Sequence, residues 1–274
     1  MRQLRALDLF CGGGGATKGL QRAGFHITGV DIRPQKRYCG DRFFQADALT
    51  FPLDTCSRCR RVMDFGCDCG LQQPWDLIWA SPPCQAHTAL RSLHPEREYP
   101  DLIPETRRRL VESGIPYVIE NVPGAPLGET GCLIMLCATM FGLRTKDGTG
   151  EVRRHRLFEC SFSIPLRPAC QHNRETITVT GAHGPPGLSR ERQRETMSDV
   201  GSGTHTRYWR RTMSVAGSTP QANEGNKVRR TWTTEQAREA MGIDWMPMKS
   251  LSQAVPPAYS EWIGKKAIEF LEGR

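Results

Sequence analysis

Apolar residues in this chain fall in short runs separated by glycine, proline and polar residues, a spacing that predicts strands and helices in alternation. Residues 3 to 10 read as a strand, Cys11-Gly12-Gly13-Gly14-Gly15 as a turn, and residues 16 to 23 as a helix, together the opening of a βαβ unit. Further strands are predicted at 25 to 30, ending in Asp31, and at 42 to 46, ending in Asp47. Residues 75 to 80 form a buried strand that the paired Pro82 and Pro83 must stop, since proline has no amide hydrogen for the ladder. A helix over 104 to 113 is closed by Gly114, and Pro116-Tyr117-Val118-Ile119-Glu120-Asn121-Val122 gives the next strand. Residues 129 to 142 read as a buried helix, and Arg153-Arg154-His155-Arg156-Leu157-Phe158 leads into another strand. Thr233 and Gln236 form a capping box opening a helix through Met241. In the helix from Pro257 to Leu271, Tyr259, Ile263, Ala267 and Leu271 line one buried stripe. Strands alternating with helices predict an α/β protein with a doubly wound, Rossmann-like sheet.

In such a sheet the chemistry gathers at the carboxyl ends of the strands. Cys84 stands there, on a stiff turn made by the two prolines, where a thiol is a candidate nucleophile if neighbours stabilise its thiolate; the alternative is a buried structural thiol. Glu120 ends a second strand on the same edge, so a thiol and an acid are predicted in one site. The glycine turn fails both phosphate-binding patterns: Thr17-Lys18-Gly19 stands where a P-loop needs Gly-Lys-Ser/Thr, and Gly12-x-Gly14-x-x-Thr17 lacks the third dinucleotide glycine. Asp31 and Asp47 fall on the same edge and suit a ribose diol, or are solvated turn residues.

The chain has 274 residues, 38% hydrophobic and 24% charged, enough for one large core and a smaller lobe. No apolar stretch approaches membrane-spanning length and no secretory leader is read at the start, so a cytoplasmic protein with no membrane partner is expected. Of the formal net charge of +8, +7 lies in residues 151 to 231, which carry 13 Arg and 1 Lys against 6 Glu and 1 Asp. A local basic excess of this kind predicts a polyanion-binding face. Eleven cysteines without signs of secretion argue for thiols that are reduced, catalytic or metal-bound. An insertion at 54 to 72 holds Cys56, Cys59, Cys67 and Cys69, which are either four ligands of one structural zinc or four unliganded thiols.

Five blocks in order resemble the cytosine-C5 DNA methyltransferase family: Asp8-Leu9-Phe10-Cys11-Gly12-Gly13-Gly14-Gly15, Pro82-Pro83-Cys84-Gln85, Glu120-Asn121-Val122, Arg154-His155-Arg156-Leu157-Phe158 and Gln253-Ala254-Val255-Pro256-Pro257. The resemblance implies an S-adenosylmethionine-dependent enzyme acting on double-stranded DNA as a monomer. Cys84 would add to C6 of a flipped cytosine, Glu120 would hydrogen-bond N3 and the exocyclic amine, and Arg154 and Arg156 would hold the base or its phosphate. Phe10, Gly12, Gly14, Asp31, Asp47 and Gln253 would cradle the cofactor. Two positions depart from the family pattern: Val152 replaces a glutamine, and Ser252-Gln253 replaces Gly-Asn. The expected organisation is a catalytic and cofactor-binding domain over 1 to 160 plus 232 to 274, with a loop-rich target-recognition lobe at 161 to 231. The alternatives are the same reaction on tRNA, and a nucleic-acid-binding protein with a degenerate site.

Overall fold

In a computed structural model of the chain, the described residues are 2–54, 74–87, 98–148, 150–165, 167–172, 177–181 and 233–273. Cys56, Cys59, Cys67 and Cys69, and most of the predicted recognition lobe, lie outside them.

Seven strands form one sheet: β1 (Arg5–Leu9), β2 (His26–Asp31), β3 (Arg42–Gln45), β4 (Leu77–Ala80), β5 (Tyr117–Asn121), β6 (Cys132–Leu136) and β8 (Arg156–Cys160). Their order is β3-β2-β1-β4-β5-β8-β6. The first five are parallel, while β8 runs antiparallel to both β5 and β6. The strand order reverses at β1, so the carboxyl ends of β1 and β4 flank the crevice where open α/β sheets bind ligands. A separate parallel pair joins β7 (Gly150–Arg153) to β9 (Ile177–Gly181), the latter inside the predicted lobe.

The central strands are apolar on both sides because both faces are covered. Ala6, Ile27, Leu77, Trp79 and Val118 face one core with helices α1 (Gly15–Ala23) and α5 (Pro257–Glu272). Leu7, Leu9, Val30, Ile78, Ala80 and Ile119 face another, together with Leu110 of helix α2 (Ile103–Ser113). Each fully buried aliphatic side chain contributes about 1.5–3 kcal/mol relative to exposure. Helix α1 packs chiefly on α5, and Gly19 permits the approach: a Cβ there would lie 2.0 Å from the Pro257 carbonyl oxygen. Helix α3 (Thr234–Met241) opens on the predicted capping box, with Gln236 N–H donating to Thr233 Oγ1 at 3.1 Å and Thr233 N–H donating to Gln236 Oε1 at 3.0 Å. A short helix α4 (Met248–Leu251) follows. No helix among the described residues is long and apolar enough to cross a membrane.

The predicted helix over 129 to 142 is not formed. Its first half is β6, an edge strand registered with β8 from Cys132↔Cys160 to Leu136↔Arg156, and its second half is a single 3-10 turn, Ala138–Phe141. An unbroken apolar run has no periodicity that separates a buried helix from a strand, and pairing with β8 decides it. The arginine triplet on α2 is mostly structural: Arg107 makes a buried two-point pair with Glu159 at 3.0 Å, and Arg109 donates to the carbonyl oxygens of Ala48 and Phe51.

Candidate active site

The turn carrying Cys84 is tied at three points. Ser81 N–H donates to the Leu9 carbonyl at 3.1 Å, continuing the β4–β1 ladder one residue past Ala80. Asn121 Nδ2 donates to the Pro82 carbonyl at 3.0 Å from the end of β5, and His87 N–H closes onto the Cys84 carbonyl at 3.0 Å. The proline pair leaves its carbonyls without strand partners, and a buried asparagine supplies one donor. Cys84 itself is partly buried.

Glu120 and Arg156 meet because β5 and β8 are registered Glu120↔Phe158, which makes Arg156 a diagonal neighbour of Glu120 on the same face. Arg156 Nε lies 3.0 Å from Glu120 Oε1, with the side chains 14% and 8% exposed. Arg154, two residues earlier, is buried, and its Nε and Nη2 have no hydrogen-bond partner among the described residues. Its backbone carbonyl accepts a hydrogen bond from the hydroxyl of Tyr259 on α5. Orphaned guanidinium donors in a buried setting are rare, and they are what a ligand oxygen would satisfy.

The electrostatics of these groups are linked. Burial pushes the Cys84 thiol above its ordinary range; Arg156 opposes this, Glu120 adds to it, and Arg154 opposes it. Burial likewise raises the Glu120 carboxyl against the pull of Arg156, Arg154 and a Ser81 hydrogen bond. Arg154 is brought down to about 9, first by burial and then by the charge of Arg156. A thiol and a carboxyl whose burial favours their protonated forms, beside two cations, form a site that can deliver a thiolate and a hydrogen bond to an entering substrate.

On the β1 side of the crevice, Phe10 has φ 58°, the sole non-glycine residue in the left-handed region among the described residues. Strained backbone of this kind gathers at binding sites. Gly12 (φ 51°) has nothing within 4 Å of the place its Cβ would occupy, and its N–H donates to Asp31 Oδ2 at 2.9 Å. Asp31 Oδ1 accepts from Arg33 N–H at 2.8 Å, which leaves lone pairs on both oxygens. Gly14 accepts from Cys39 Sγ at 3.1 Å through its carbonyl. Phe10, Gly12 and Asp31 therefore lie together past β1 and at the end of β2, beside the open space at Gly12, whereas a Cβ on Gly14 would lie 2.7 Å from Cys39 Sγ. Asp47 lies two residues past β3, is exposed, and accepts from Leu49 N–H at 2.9 Å within its own turn. Gln253 is exposed after α4, two residues ahead of Val255, whose carbonyl oxygen would lie 2.4 Å from a Cβ on Gly15.

Three polar groups were not assigned a role from the sequence. Asn121 holds the cysteine turn and Tyr259 holds Arg154; each is a hydrogen-bonding side chain inside an apolar pattern, which is the signal that marks them. Asp8 is buried under the glycine turn, receives Thr17 Oγ1 on Oδ2 at 2.5 Å, leaves Oδ1 without a partner among the described residues, and is raised to about 7, chiefly by burial.

No family model matches the sequence, and no curated protein sequence does. The backbone nevertheless aligns with solved structures along almost its whole length. It is similar at TM-score 0.54 and 16% identity to a protein assigned as a DNA modification methyltransferase encoded within an E. coli prophage, covering 99% of this chain and 100% of the other. With the S. pombe Dnmt2 methyltransferase the TM-score is 0.50 at 16% identity, covering 98% and 99%. At these identities the likeness establishes architecture alone: the chain has the Rossmann-like fold seen in these two methyltransferase structures.

Proposed function

We propose that the protein is a DNA cytosine-5 methyltransferase that works through a covalent adduct at Cys84. The observation that carries this reading is the convergence of four side chains from three strand ends: Cys84 after β4, Glu120 on β5, and Arg154 and Arg156 at the start of β8. C5 of cytosine is a poor nucleophile, and addition of a thiolate to C6 makes it enamine-like. Glu120, whose protonated form burial favours, donates to N3 as negative charge builds on the ring. Arg156 orients Glu120, and the free donors of Arg154 meet an oxygen of the base or its phosphate. Because these base atoms are stacked inside a duplex, the target must be flipped out.

The residues bordering the β1 opening fit S-adenosylmethionine: a carboxylate with spare lone pairs for a ribose diol, open space above Gly12, and no phosphate-binding pattern. S-adenosylmethionine supplies the electrophilic methyl group. Asp47 and Gln253 would close the two flanks. The +7 carried by residues 151 to 231 supports a polyanionic partner, which we take to be double-stranded DNA bound by a monomer.

Incubation with methyl-labelled S-adenosylmethionine and either duplex DNA or tRNA, followed by nucleoside analysis, tests this. Label in 5-methylcytosine of the duplex is expected. Label in tRNA alone would move the same chemistry to RNA, and cofactor binding with no transfer to either would make the protein a binding module.

A further inference from the structure

We propose that Cys137, His155, Cys170 and His172 bind a single zinc ion as a closed, structural, tetrahedral centre. Their four ligand atoms all lie within 4.8 Å of one another. Cys137 Sγ is 3.4 Å from His172 Nε2, and Cys170 Sγ is 3.6 Å from His155 Nε2. Around a zinc with Zn–S of about 2.3 Å and Zn–N of about 2.0 Å, tetrahedral geometry places sulfur and nitrogen about 3.5 Å apart. The third contact, Cys170 Sγ to His172 Nε2 at 2.8 Å, is shorter and is opened by a small rotation of the exposed Cys170 side chain. The imidazole planes stand 81° apart with centroids separated by 5.2 Å, so the two rings approach the centre from different directions.

The fold builds the cluster in two steps. The final rung of the β6–β8 ladder is Leu136↔Arg156, so one step beyond it Cys137 and His155 stand opposite each other. The other two ligands arrive on the Cys170-Gln171-His172 tripeptide, in a stretch with no helix or strand bonds of its own. That stretch is held by Arg167 Nη1 donating to the Met135 carbonyl of β6 at 3.1 Å. The Thr139 hydroxyl donates to Cys137 Sγ at 3.3 Å and lies 3.6 Å from Cys170 Sγ, the outer-shell hydrogen bonding that thiolate ligands attract. Two thiolates and two imidazoles in a tetrahedral arrangement select zinc among common divalent ions. The ion fastens an exposed, irregular segment to the edge of the sheet, and through His155 it fixes the backbone between Arg154 and Arg156. This centre uses none of the cysteines of the insertion at 54 to 72.

Metal analysis of the full chain, expressed without added metal and desalted against a weak chelator under reducing conditions, tests the assignment. The Cys170→Ser/His172→Ala double variant should hold about one zinc per chain less than the parent, while a variant with serine at positions 56, 59, 67 and 69 keeps that zinc. As a check that does not depend on the double variant folding, cobalt-loaded protein should show the d–d bands of a tetrahedral site and a thiolate charge-transfer band. His172→Cys should retain the metal and strengthen that band. Equal zinc in the parent and the double variant would overturn the proposal. So would a cobalt spectrum that His172→Cys leaves unchanged.

Discussion

Asn121 Nδ2 holds the carbonyl of Pro82 at 3.0 Å, and through that one bond the end of β5 fixes the turn that carries Cys84. The same side chain accepts from Val122 N–H at 2.9 Å, so its orientation is set from both ends. Asn121→Ala should cost about 1 kcal/mol in stability. It should lower single-turnover methylation by roughly 10–100-fold, because a nucleophile misplaced by an ångström loses its alignment. Affinity for DNA should be unchanged. Unaltered single-turnover rates in a folded variant would remove the positioning role.

Duplex DNA carrying 5-fluorocytosine at the target should trap the protein covalently through Cys84, and only with S-adenosylmethionine present. Thiolate addition to C6 reverses freely; once the methyl has moved, release requires loss of the other C5 substituent, and fluorine cannot leave as a cation. Denaturing gels should show a stoichiometric adduct that Cys84→Ser abolishes. Methylation of ordinary DNA with no adduct on the fluorinated duplex would exclude the covalent route.

Glu120→Gln should change the shape of the pH–rate profile as well as its height. In the proposed mechanism the reactive form pairs a Cys84 thiolate with a protonated Glu120, and burial raises both groups. Raising the pH gains thiolate and loses the protonated acid, so the parent profile is bell-shaped. Glutamine keeps a donor but cannot ionise, and the variant's rate should rise with pH up to the Cys84 value without a falling limb. A falling limb that survives in Glu120→Gln would assign it to another group. The stability effect has its own sign: a carboxyl raised in the folded state stabilises fully below its unfolded value of about 4.3 and loses that contribution as pH climbs through the folded value.

Asp31→Ala should weaken S-adenosylmethionine binding more than Asp47→Ala does. The Asp31 carboxylate borders the opening beside Gly12, whereas that of Asp47 is exposed and engaged with Leu49 N–H in its own turn. Calorimetry on both variants checks the order, and equal or reversed losses would put the ribose contact at β3.

Gly19→Ala should destabilise the protein by about 1–3 kcal/mol or more. The new methyl would meet the Pro257 carbonyl at 2.0 Å and Ser260 Oγ at 2.1 Å, and neither backbone can retreat without separating α1 from α5. Urea denaturation measures the loss; a midpoint unchanged from the parent would show that the helices pack more loosely than this contact requires.

Most of the sheet was legible because its strands are short apolar runs closed by glycine or proline, and a run such as Leu77 to Ala80 ahead of two prolines has no other stable outcome. The edge was not. Residues 132 to 136 become a strand through hydrogen bonds to β8, twenty residues further along, and Leu133 stays 47% exposed there. Cys84, Glu120, Arg154 and Arg156 were legible as separate motifs, while the pairing of Arg156 with Glu120 depends on a cross-strand register that sequence spacing does not state. The Cys137, His155, Cys170 and His172 cluster left no local trace for the same reason: its members come together only after β6 and β8 have paired.

The bond from the Tyr259 hydroxyl to the Arg154 carbonyl has a consequence in time. A nascent chain that has released β1 to β8 from the ribosome already carries Cys84, Glu120, Arg154 and Arg156, yet the segment holding Arg154 is still without its clamp, and α1 is without the helix it packs on. Order at Arg154 is therefore a late acquisition, supplied by a helix whose Tyr259 lies 105 residues further along the chain.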